Sequence, residues 1–209
     1  MKLDLHIHTK YSKDSNSDTK EVIKVSKKRG LDGIAVTEHN TIRGGVEAQK
    51  HNEDPDFTVI VGSEVHTEKG EVIGYFLNEE IKSRSVYEVI DEMREQDAVI
   101  VIPHPYDIFR FSSLKPEDDI LKRVDCIEAF NARCTFSRFN KKAKELAENS
   151  GLGITAGSDA HTLSEIGAGG VVLSGKVGLR EEILKNRETF GKASPFYVHV
   201  YSTMTKILK

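Results

Sequence analysis

The sequence predicts an α/β fold in which the strands form a (β/α) barrel. Apolar runs alternate with helical patterns along the chain, and a polar segment follows almost every run. Histidines and carboxylates suited to metal binding lie on the first strand or just past the ends of later strands. In a (β/α) barrel these ends meet at one rim, where active sites form. An open doubly wound sheet offers only a crevice at a switch point, so it fits this distribution less well.

The first predicted strand carries two of these histidines. Apolar and polar residues alternate from Leu3 to His8, which is the period of a strand. His6 and His8 therefore point to the same side, with Cα atoms about 6.5 Å apart, close enough for both imidazoles to bind one metal ion. Asp4 shares their face. We expect its carboxylate to accept the N–H of one ring and so fix its tautomer.

Helices are expected where an apolar stripe recurs at helical spacing. The first spans residues 19–29, because Asp18 can cap its start and Gly30 can end it. Ser85 and Glu88 form a capping box in front of another helix. Further helices are predicted at residues 46–51, 138–149 and 179–185.

Strands are expected where short apolar runs end in polar residues or turns. A hairpin is predicted around residues 68–71, and residues 106–116 read as a long loop that could form a wall of the substrate site. The strands after the first are predicted at residues 31–36, 57–61, 65–67, 72–76, 98–102, 126–130, 153–156, 170–173 and 196–201.

Composition limits the classes of function. The formal net charge is −3 and the pI is about 6.3, so no global basic field indicates binding to long nucleic acids or to membranes. Two distant cysteines fit neither a zinc knuckle nor a disulfide framework. With no secretory or membrane-spanning pattern, we expect a cytoplasmic protein with no membrane partner and no obligatory protein partner. Residues 1–209 show no linker and are predicted to form a single domain.

The candidate metal ligands outnumber what one ion can bind. They suit two or three hydrolytic metals that share a bridging carboxylate. In chain order the candidates are His6, His8, Asp14, His39, Glu64, His104, Asn131, Asp159 and His161.

The motifs that carry these residues resemble those of the PHP family, named for its polymerase and histidinol phosphatase members. They occur in family order over about three quarters of the chain: Asp4-Leu-His6-Ile-His8-Thr9, Thr37-Glu38-His39-Asn40, Gly62-Ser63-Glu64, His104-Pro105, Asn131 and Gly157-Ser158-Asp159-Ala160-His161. The resemblance implies a distorted seven-stranded (β/α) barrel with its metal site at the C-terminal rim of the strands. It also implies metal-dependent hydrolysis of phosphate esters.

Transferred position by position, the resemblance also implies a ligand set. One metal takes His6, His8, Glu64 and Asp159, a second shares Glu64 and takes His104 and Asn131, and a third takes Asp14, His39 and His161. Some family members have histidine at the positions of Asp14 and Asn131. An amide is the weaker donor, so direct ligation by Asn131 and ligation through water are both open. Zinc, manganese and iron all suit such a site.

The chemistry that follows is attack on phosphorus by a metal-bridging hydroxide. Asp159 is the expected proton acceptor, and either His161 or the third metal stabilises the leaving oxygen. Arg133 is the first candidate for contacting the phosphate, since a guanidinium can bind it bidentately, followed by Arg138 and Arg43. The expected substrate is a small phosphorylated metabolite, a nucleotide or a short oligonucleotide.

Two other functions are compatible with parts of the pattern. An amidohydrolase-type deaminase also begins with His-x-His and ends with aspartate, but it would not need the additional Asp14, Glu64 and His104-Pro105 elements. A non-catalytic metal-binding accessory domain of a nucleic-acid polymerase system is the other alternative, against which the intact ligand set argues. Release of ammonia or of phosphate distinguishes the three.

Overall fold

The computed structural model describes residues 1–110, 112–195 and 197–209. Its strands are β1 (Lys2–Ile7), β2 (Gly33–His39), β3 (Thr58–Thr67), β4 (Gly70–Tyr75), β5 (Val99–Ile102), β6 (Cys126–Asn131), β7 (Gly153–Gly157), β8 (Gly169–Val172) and β9 (Thr189–Gly191). Its helices are α1 (Thr19–Lys28), α2 (Arg43–His51), α3 (Val86–Glu95), α4 (Asp118–Leu121), α5 (Ser137–Ser150), α6 (Leu179–Lys185) and α7 (Tyr197–Leu208).

Within the described residues, the strands form one nine-stranded sheet in the order β7-β6-β5-β4-β3-β2-β1-β8-β9. Neighbouring strands pair in parallel from β1 to β3 and from β5 to β7. β4 is antiparallel to both of its neighbours, so β1, β2, β3, β5, β6 and β7 all run in one direction. Their C-terminal ends therefore lie at the same edge of the sheet.

The sheet curls into a nearly closed barrel. A parallel bridge between Ile7 and Ala160 links the end of β1 to the segment after β7. The predicted α/β barrel is confirmed in this coarser form. The strand number differs from the seven implied by the resemblance, because β8 and β9 extend the sheet as an antiparallel pair beside β1.

Successive side chains of a strand point to opposite faces of the sheet, and both faces are buried. In β5, Val99 and Val101 belong to one apolar cluster, whereas Ile100 and Ile102 belong to another that packs against Met93 of α3 and also includes residues of α5. A third cluster lies under α1 and α2. The barrel wall is thus held by apolar packing on both sides, which leaves the polar strand ends free for chemistry.

Most predicted helices are present, with small shifts at their ends. Asp18 caps α1 by accepting a hydrogen bond from the Lys20 backbone N–H at 3.0 Å. At Ser85 the predicted capping box does not form. Instead, the Glu68 carboxylate accepts the Val86 N–H at 2.8 Å, so a side chain from the neighbouring hairpin supplies the cap.

The last strand was expected at residues 196–201, but the described residues 197–201 form the start of helix α7, so this prediction is wrong. Phe196 lies outside the described residues. The β-branched and aromatic residues here favour a strand locally, but tertiary packing selects a helix whose buried positions are Val198, Ser202 and Thr205. None of the helices in the described ranges has the length and apolar character needed to cross a bilayer.

Candidate metal centre

His6 and His8 point into one buried site, as the alternation in β1 predicts. Their Nε2 atoms are 3.1 Å apart and both side chains are fully buried. Glu64 approaches them from β3, at 3.4 Å from His6 Nε2 and 3.5 Å from His8 Nε2. Asp159 Oδ1 lies 3.6 Å and 3.4 Å from the same two nitrogens. Two imidazoles and two carboxylates therefore converge on one point.

A second group of ligand atoms surrounds Asp14 in the loop after β1. Its two oxygens lie 3.3 Å from His39 Nε2 and 3.4 Å from His161 Nε2. The ring of His8 packs against both of those histidines, with centroid distances of 4.4 Å and 4.3 Å. His8 thus belongs to both groups and places them side by side.

Glu64 connects these groups to a fifth histidine. Its Oε1 is 3.1 Å from His104 Nε2, and its Oε2 is 3.1 Å from His39 Nδ1. The Glu64 side chain is almost fully buried. A carboxylate whose two oxygens face different imidazoles has the geometry of a ligand that bridges two ions.

The backbone is strained at two of these positions. Asp159 has φ of 55° and His104 has φ of 30°, in the left-handed region that non-glycine residues rarely adopt. Such conformations cost about 1–3 kcal/mol and cluster at functional sites. Here they turn the side chains that follow β5 and β7 back toward the site.

The ligand atoms are close enough together to bind divalent metal ions. Three groups have ligand atoms that all lie within 4.8 Å of one another: His8, His39 and His161; His6, His8 and Glu64; and His39, Glu64 and Glu71. Among the described residues, Asp14 Oδ1 and Asp159 Oδ1 are buried and accept no hydrogen bond. Buried carboxylate oxygens without donors are costly, and a bound cation would satisfy them.

The protonation preferences of His8 and Asp159 agree with metal binding, whereas neighbouring carboxylates outweigh burial and raise the pKa of His6 and of His39 well above the usual range. Burial and the neighbouring His161 and His39 lower the pKa of His8 to about 3, so its imidazole is neutral, as a ligand must be. Burial opposes ionisation of Asp159, but Arg110 and His6 outweigh it and hold the pKa of this carboxyl well below its usual range. Both groups are therefore in the form that coordinates a cation.

A family model of the PHP domain matches residues 4–194. The chain belongs to the PHP family. An uncharacterised protein of Methanocaldococcus jannaschii is 46% identical over 117 residues, which is 51% of this chain and 68% of that protein.

Solved structures show the same PHP-like fold. One is a two-domain protein from Bacteroides vulgatus, described as containing a predicted PHP-like metal-dependent phosphoesterase. Its TM-score is 0.75 at 19% sequence identity, and the match covers 98% of this chain and 69% of that protein chain. An amidohydrolase from Chromobacterium violaceum, solved with bound sulfate and no metal, has a TM-score of 0.60 at 14% identity over 95% of this chain and 96% of its own.

Of the nine predicted ligands of this PHP chain, eight lie in the groups described above, and Asn131 lies beside them. Its Nδ2 donates to Asp159 at 3.2 Å, and its Oδ1 accepts the Arg133 N–H at 2.9 Å. Whether each residue binds metal stays a prediction. The nine lie in β1, β2, β3 and β6 or in the segments that follow β1, β5 and β7.

The residue that orients His6 differs from the prediction. Asp4 does not contact an imidazole: its carboxylate accepts backbone N–H groups of Ser158 and Gly167, each at 2.8 Å, because it lies below the rings in the barrel. Glu128 occupies the expected role instead, with Oε1 2.8 Å from His6 Nδ1. A buried glutamate inside the apolar run of β6 was the sequence signal for it.

Glu38 supports His8 through a hydroxyl. The Ser12 Oγ lies 3.2 Å from His8 Nδ1 and donates to Glu38 at 2.5 Å. The Thr9 backbone N–H also donates to Glu38, at 3.0 Å. This fully buried glutamate therefore fixes both the ring of His8 and the loop that carries Asp14.

The three predicted phosphate-binding arginines occupy different environments. Arg133 is 4% exposed, and its guanidinium contacts His161 Nδ1 at 2.6 Å, Glu165 at 3.2 Å and the Ser202 hydroxyl at 2.7 Å. Arg138 and Arg43 are exposed and stack on aromatic rings, Arg138 on Phe136 and Phe139 and Arg43 on Tyr11. Arg133 thus lies beside the site, and the other two lie outside the ligand groups.

Arg110 is the cation that the sequence analysis missed. It follows β5 in the predicted loop, and its Nη1 is 2.5 Å from Asp159 Oδ2 while its Nη2 is 3.4 Å from Asn131 Oδ1. Its side chain is 20% exposed, so it reaches both the ligands and solvent. Only its placement in a loop rich in aromatic residues pointed to it.

We expect Glu128→Gln to weaken metal binding about 10–100-fold, because the amide can present its N–H to His6 Nδ1 and impose the wrong tautomer. Metal titration followed by calorimetry checks this. Asp4→Asn is the comparison, since Asp4 holds backbone N–H groups rather than a ring. An equal loss of affinity in both variants would contradict the assignment of Glu128.

Proposed function

We propose that this PHP chain is a metal-dependent phosphoesterase that acts on a small phosphorylated metabolite, a nucleotide or a short oligonucleotide. The observation that carries the proposal is Glu64, whose two oxygens each lie 3.1 Å from a different histidine, His104 and His39. Hydrolytic sites with two or more divalent metals use such a shared carboxylate. Family membership supports the same reaction class.

Divalent metals bound to these ligands would polarise the phosphoryl oxygens and activate a water molecule for hydrolysis. The first ion would be held by His6, His8, Glu64 and Asp159, and a further ion by Asp14, His39 and His161. Zinc, manganese and iron all fit this set of imidazoles and carboxylates.

The residues of the chain supply orientation and proton transfer. Asp159 is in its ionised form and has one buried oxygen without a hydrogen-bond donor among the described residues, so it can accept a proton from an attacking water. His161 packs against the His8 ring with a centroid distance of 4.3 Å, and its Nδ1 lies 3.5 Å from Asp159 Oδ1, so it borders the same site and can face the leaving oxygen. Glu128 and Glu38 hold the rings of His6 and His8 in place.

Arg110 is the cation best placed to contact the substrate phosphate. Both arginines pair with carboxylates, Arg110 with Asp159 and Asp107 and Arg133 with Glu165, but the side chain of Arg110 is 20% exposed and that of Arg133 only 4%. A guanidinium beside the metals would bind the phosphoryl oxygens that the metals leave uncovered. The predicted contact between Arg133 and the substrate phosphate stays a prediction.

The test is a phosphate-ester panel measured with the purified chain after reconstitution with manganese, iron or zinc. We expect release of inorganic phosphate with at least one of these metals and none after chelation. An amidohydrolase-type deaminase is the second candidate, favoured by the similarity to the Chromobacterium protein. Ammonia release from aminopurines or aminopyrimidines without phosphate release would establish that reaction instead.

We expect Arg110→Ala to weaken phosphate binding by roughly tenfold or more, since a charge-assisted hydrogen bond contributes about 1.5–3 kcal/mol. Metal content should stay the same, because arginine is not a ligand. Competitive inhibition by inorganic phosphate measures the change. Arg123→Ala is the matched control, as Arg123 is exposed and pairs with Asp91 at 3.7 Å. Unchanged inhibition in Arg110→Ala would exclude this role.

A further inference from the structure

Glu71 is a buried carboxylate at the site that no family motif quoted above includes. It lies on β4, on the same face as Ile73, while Val72 between them packs into the cluster under α3. This alternation turns its carboxylate toward the neighbouring strand β3 and the metal ligands. The side chain is 7% exposed.

The neighbours of Glu71 are imidazoles. Its Oε2 lies 3.7 Å from His104 Nε2, and its Oε1 lies 3.8 Å from His39 Nδ1 and 4.0 Å from His66 Nδ1. Within residues 1–110, 112–195 and 197–209, only histidine nitrogens come within ion-pair distance of it. A divalent cation bound between these imidazoles and the carboxylate would satisfy its buried oxygens.

Asn131, by contrast, has its polar atoms engaged elsewhere. Its Oδ1 accepts the Arg133 N–H and an Arg110 guanidinium N–H, which uses both lone pairs. Its Nδ2 donates to carboxylates of Glu128 and Asp159. Reversing the amide would place its oxygen against two carboxylates and its N–H groups against two donors, so these neighbours fix the orientation.

The distances place Glu71, Glu64 and His104 together. Glu64 Oε1 is 3.1 Å from the same His104 Nε2 that faces Glu71 Oε2 at 3.7 Å. The ligand atoms of Glu64, Glu71 and His39 also lie within 4.8 Å of one another. Two carboxylates from paired strands and a histidine from the end of β5 thus surround one position.

We propose that Glu71 takes the place of Asn131 as a ligand of the second metal, beside Glu64 and His104. This inference rests on the metal-dependent function proposed above. Asn131 then acts as a positioning residue, which holds Asp159 and Glu128 through its two N–H donors. Replacing a neutral amide with a carboxylate makes the second position richer in oxygen and more negative, which favours manganese or iron over zinc.

The test compares the metal binding of Glu71→Gln and Asn131→Ala. Each purified chain is stripped with a chelator and titrated with Mn²⁺, with binding followed by calorimetry and by electron paramagnetic resonance. We expect Glu71→Gln to lose one equivalent of Mn²⁺ or to bind it at least about 100-fold more weakly, the upper end of the cost of removing an outer-shell partner. Asn131→Ala should keep the wild-type stoichiometry.

Two further variants make the comparison specific. Glu53→Gln, at an exposed position, is the control for replacing a carboxylate with an amide. Glu71→Asp keeps the charge and should retain the second equivalent with reduced affinity, and circular dichroism checks the fold of each variant. Full Mn²⁺ stoichiometry and affinity in Glu71→Gln, or loss of the ion in Asn131→Ala, would overturn the inference. A wild-type chain that binds no divalent metal would overturn the proposed function as well.

Discussion

His8→Ala should abolish most phosphoesterase activity and remove at least one metal equivalent per chain. The His8 Nε2 faces Glu64 and Asp159 at 3.5 Å and 3.4 Å, and its ring packs against those of both His39 and His161. Because His8 belongs to two of the three candidate ligand groups, its loss affects both. We expect kcat/KM to fall by more than about 100-fold, since even partners outside the coordination shell contribute 10–100-fold.

Elemental analysis and a phosphate-release assay measure the two effects on the same preparation. His51→Ala is the matched control, because His51 is a partly buried histidine that contacts the Thr19 hydroxyl at 3.0 Å, outside the ligand groups. Full metal content in His8→Ala would refute the convergence of ligands on His8, and full activity would refute the metal-dependent reaction.

Gly157→Ala should both destabilise the chain and disrupt the metal centre. A Cβ at this position would lie 2.3 Å from His6 Cβ and 2.7 Å from the His6 backbone N, far inside contact distance. The neighbouring atoms are mostly backbone, so β1 and β7 would have to separate. Overpacking of this kind costs about 1–3 kcal/mol, and the movement displaces His6 from Glu64 and Asp159.

Denaturant unfolding measures the loss of stability, and metal titration measures the loss of affinity. Gly178→Ala is a control with the same chemistry, since its Cβ would meet no atom within 4 Å and its φ is −60°. Wild-type stability and metal affinity in Gly157→Ala would show that the close approach of β1 and β7 does not position the site.

The coarse fold and the convergence of the candidate ligands could be predicted because both depend on local periodicity. Alternation in β1 places His6 and His8 on one face, and the polar residues after each apolar run mark the strand ends. The meeting of these ends follows from parallel strand direction alone. This is why His39, Glu64 and Asp159 could be associated before any distances were known.

The features of the site that the sequence analysis did not predict depend on contacts between distant segments of the chain. Glu128 reads as one charge in an apolar strand, and only the pairing of β6 with β7 and the approach of β1 reveal that it faces His6. Glu71 lies in a segment predicted to be a hairpin turn, where exposed glutamates are ordinary. In the structure β4 begins at Gly70, which turns Glu71 inward.

Helix α7 illustrates how tertiary contacts can override local preference. Residues 197–201 are rich in β-branched and aromatic side chains, yet the helix brings the Val198 carbonyl oxygen to 2.9 Å and the Ser202 hydroxyl to 2.7 Å from Arg133 Nη2. A strand would not place both groups beside one guanidinium. The helix therefore forms part of the environment that keeps Arg133 buried.

With the metal binding proposed above, the burial of several carboxylates at one end of the barrel would link folding to the supply of metal. Asp14, Glu64, Glu71 and Asp159 come from distant parts of the chain, and their mutual repulsion opposes the final closure of the barrel. An ion that binds only the folded chain stabilises it by about 2.7 kcal/mol at a concentration one hundred times its Kd. In a cell with limiting metal, more of the chain would be open to proteases. Its abundance would then follow metal availability without any change in synthesis.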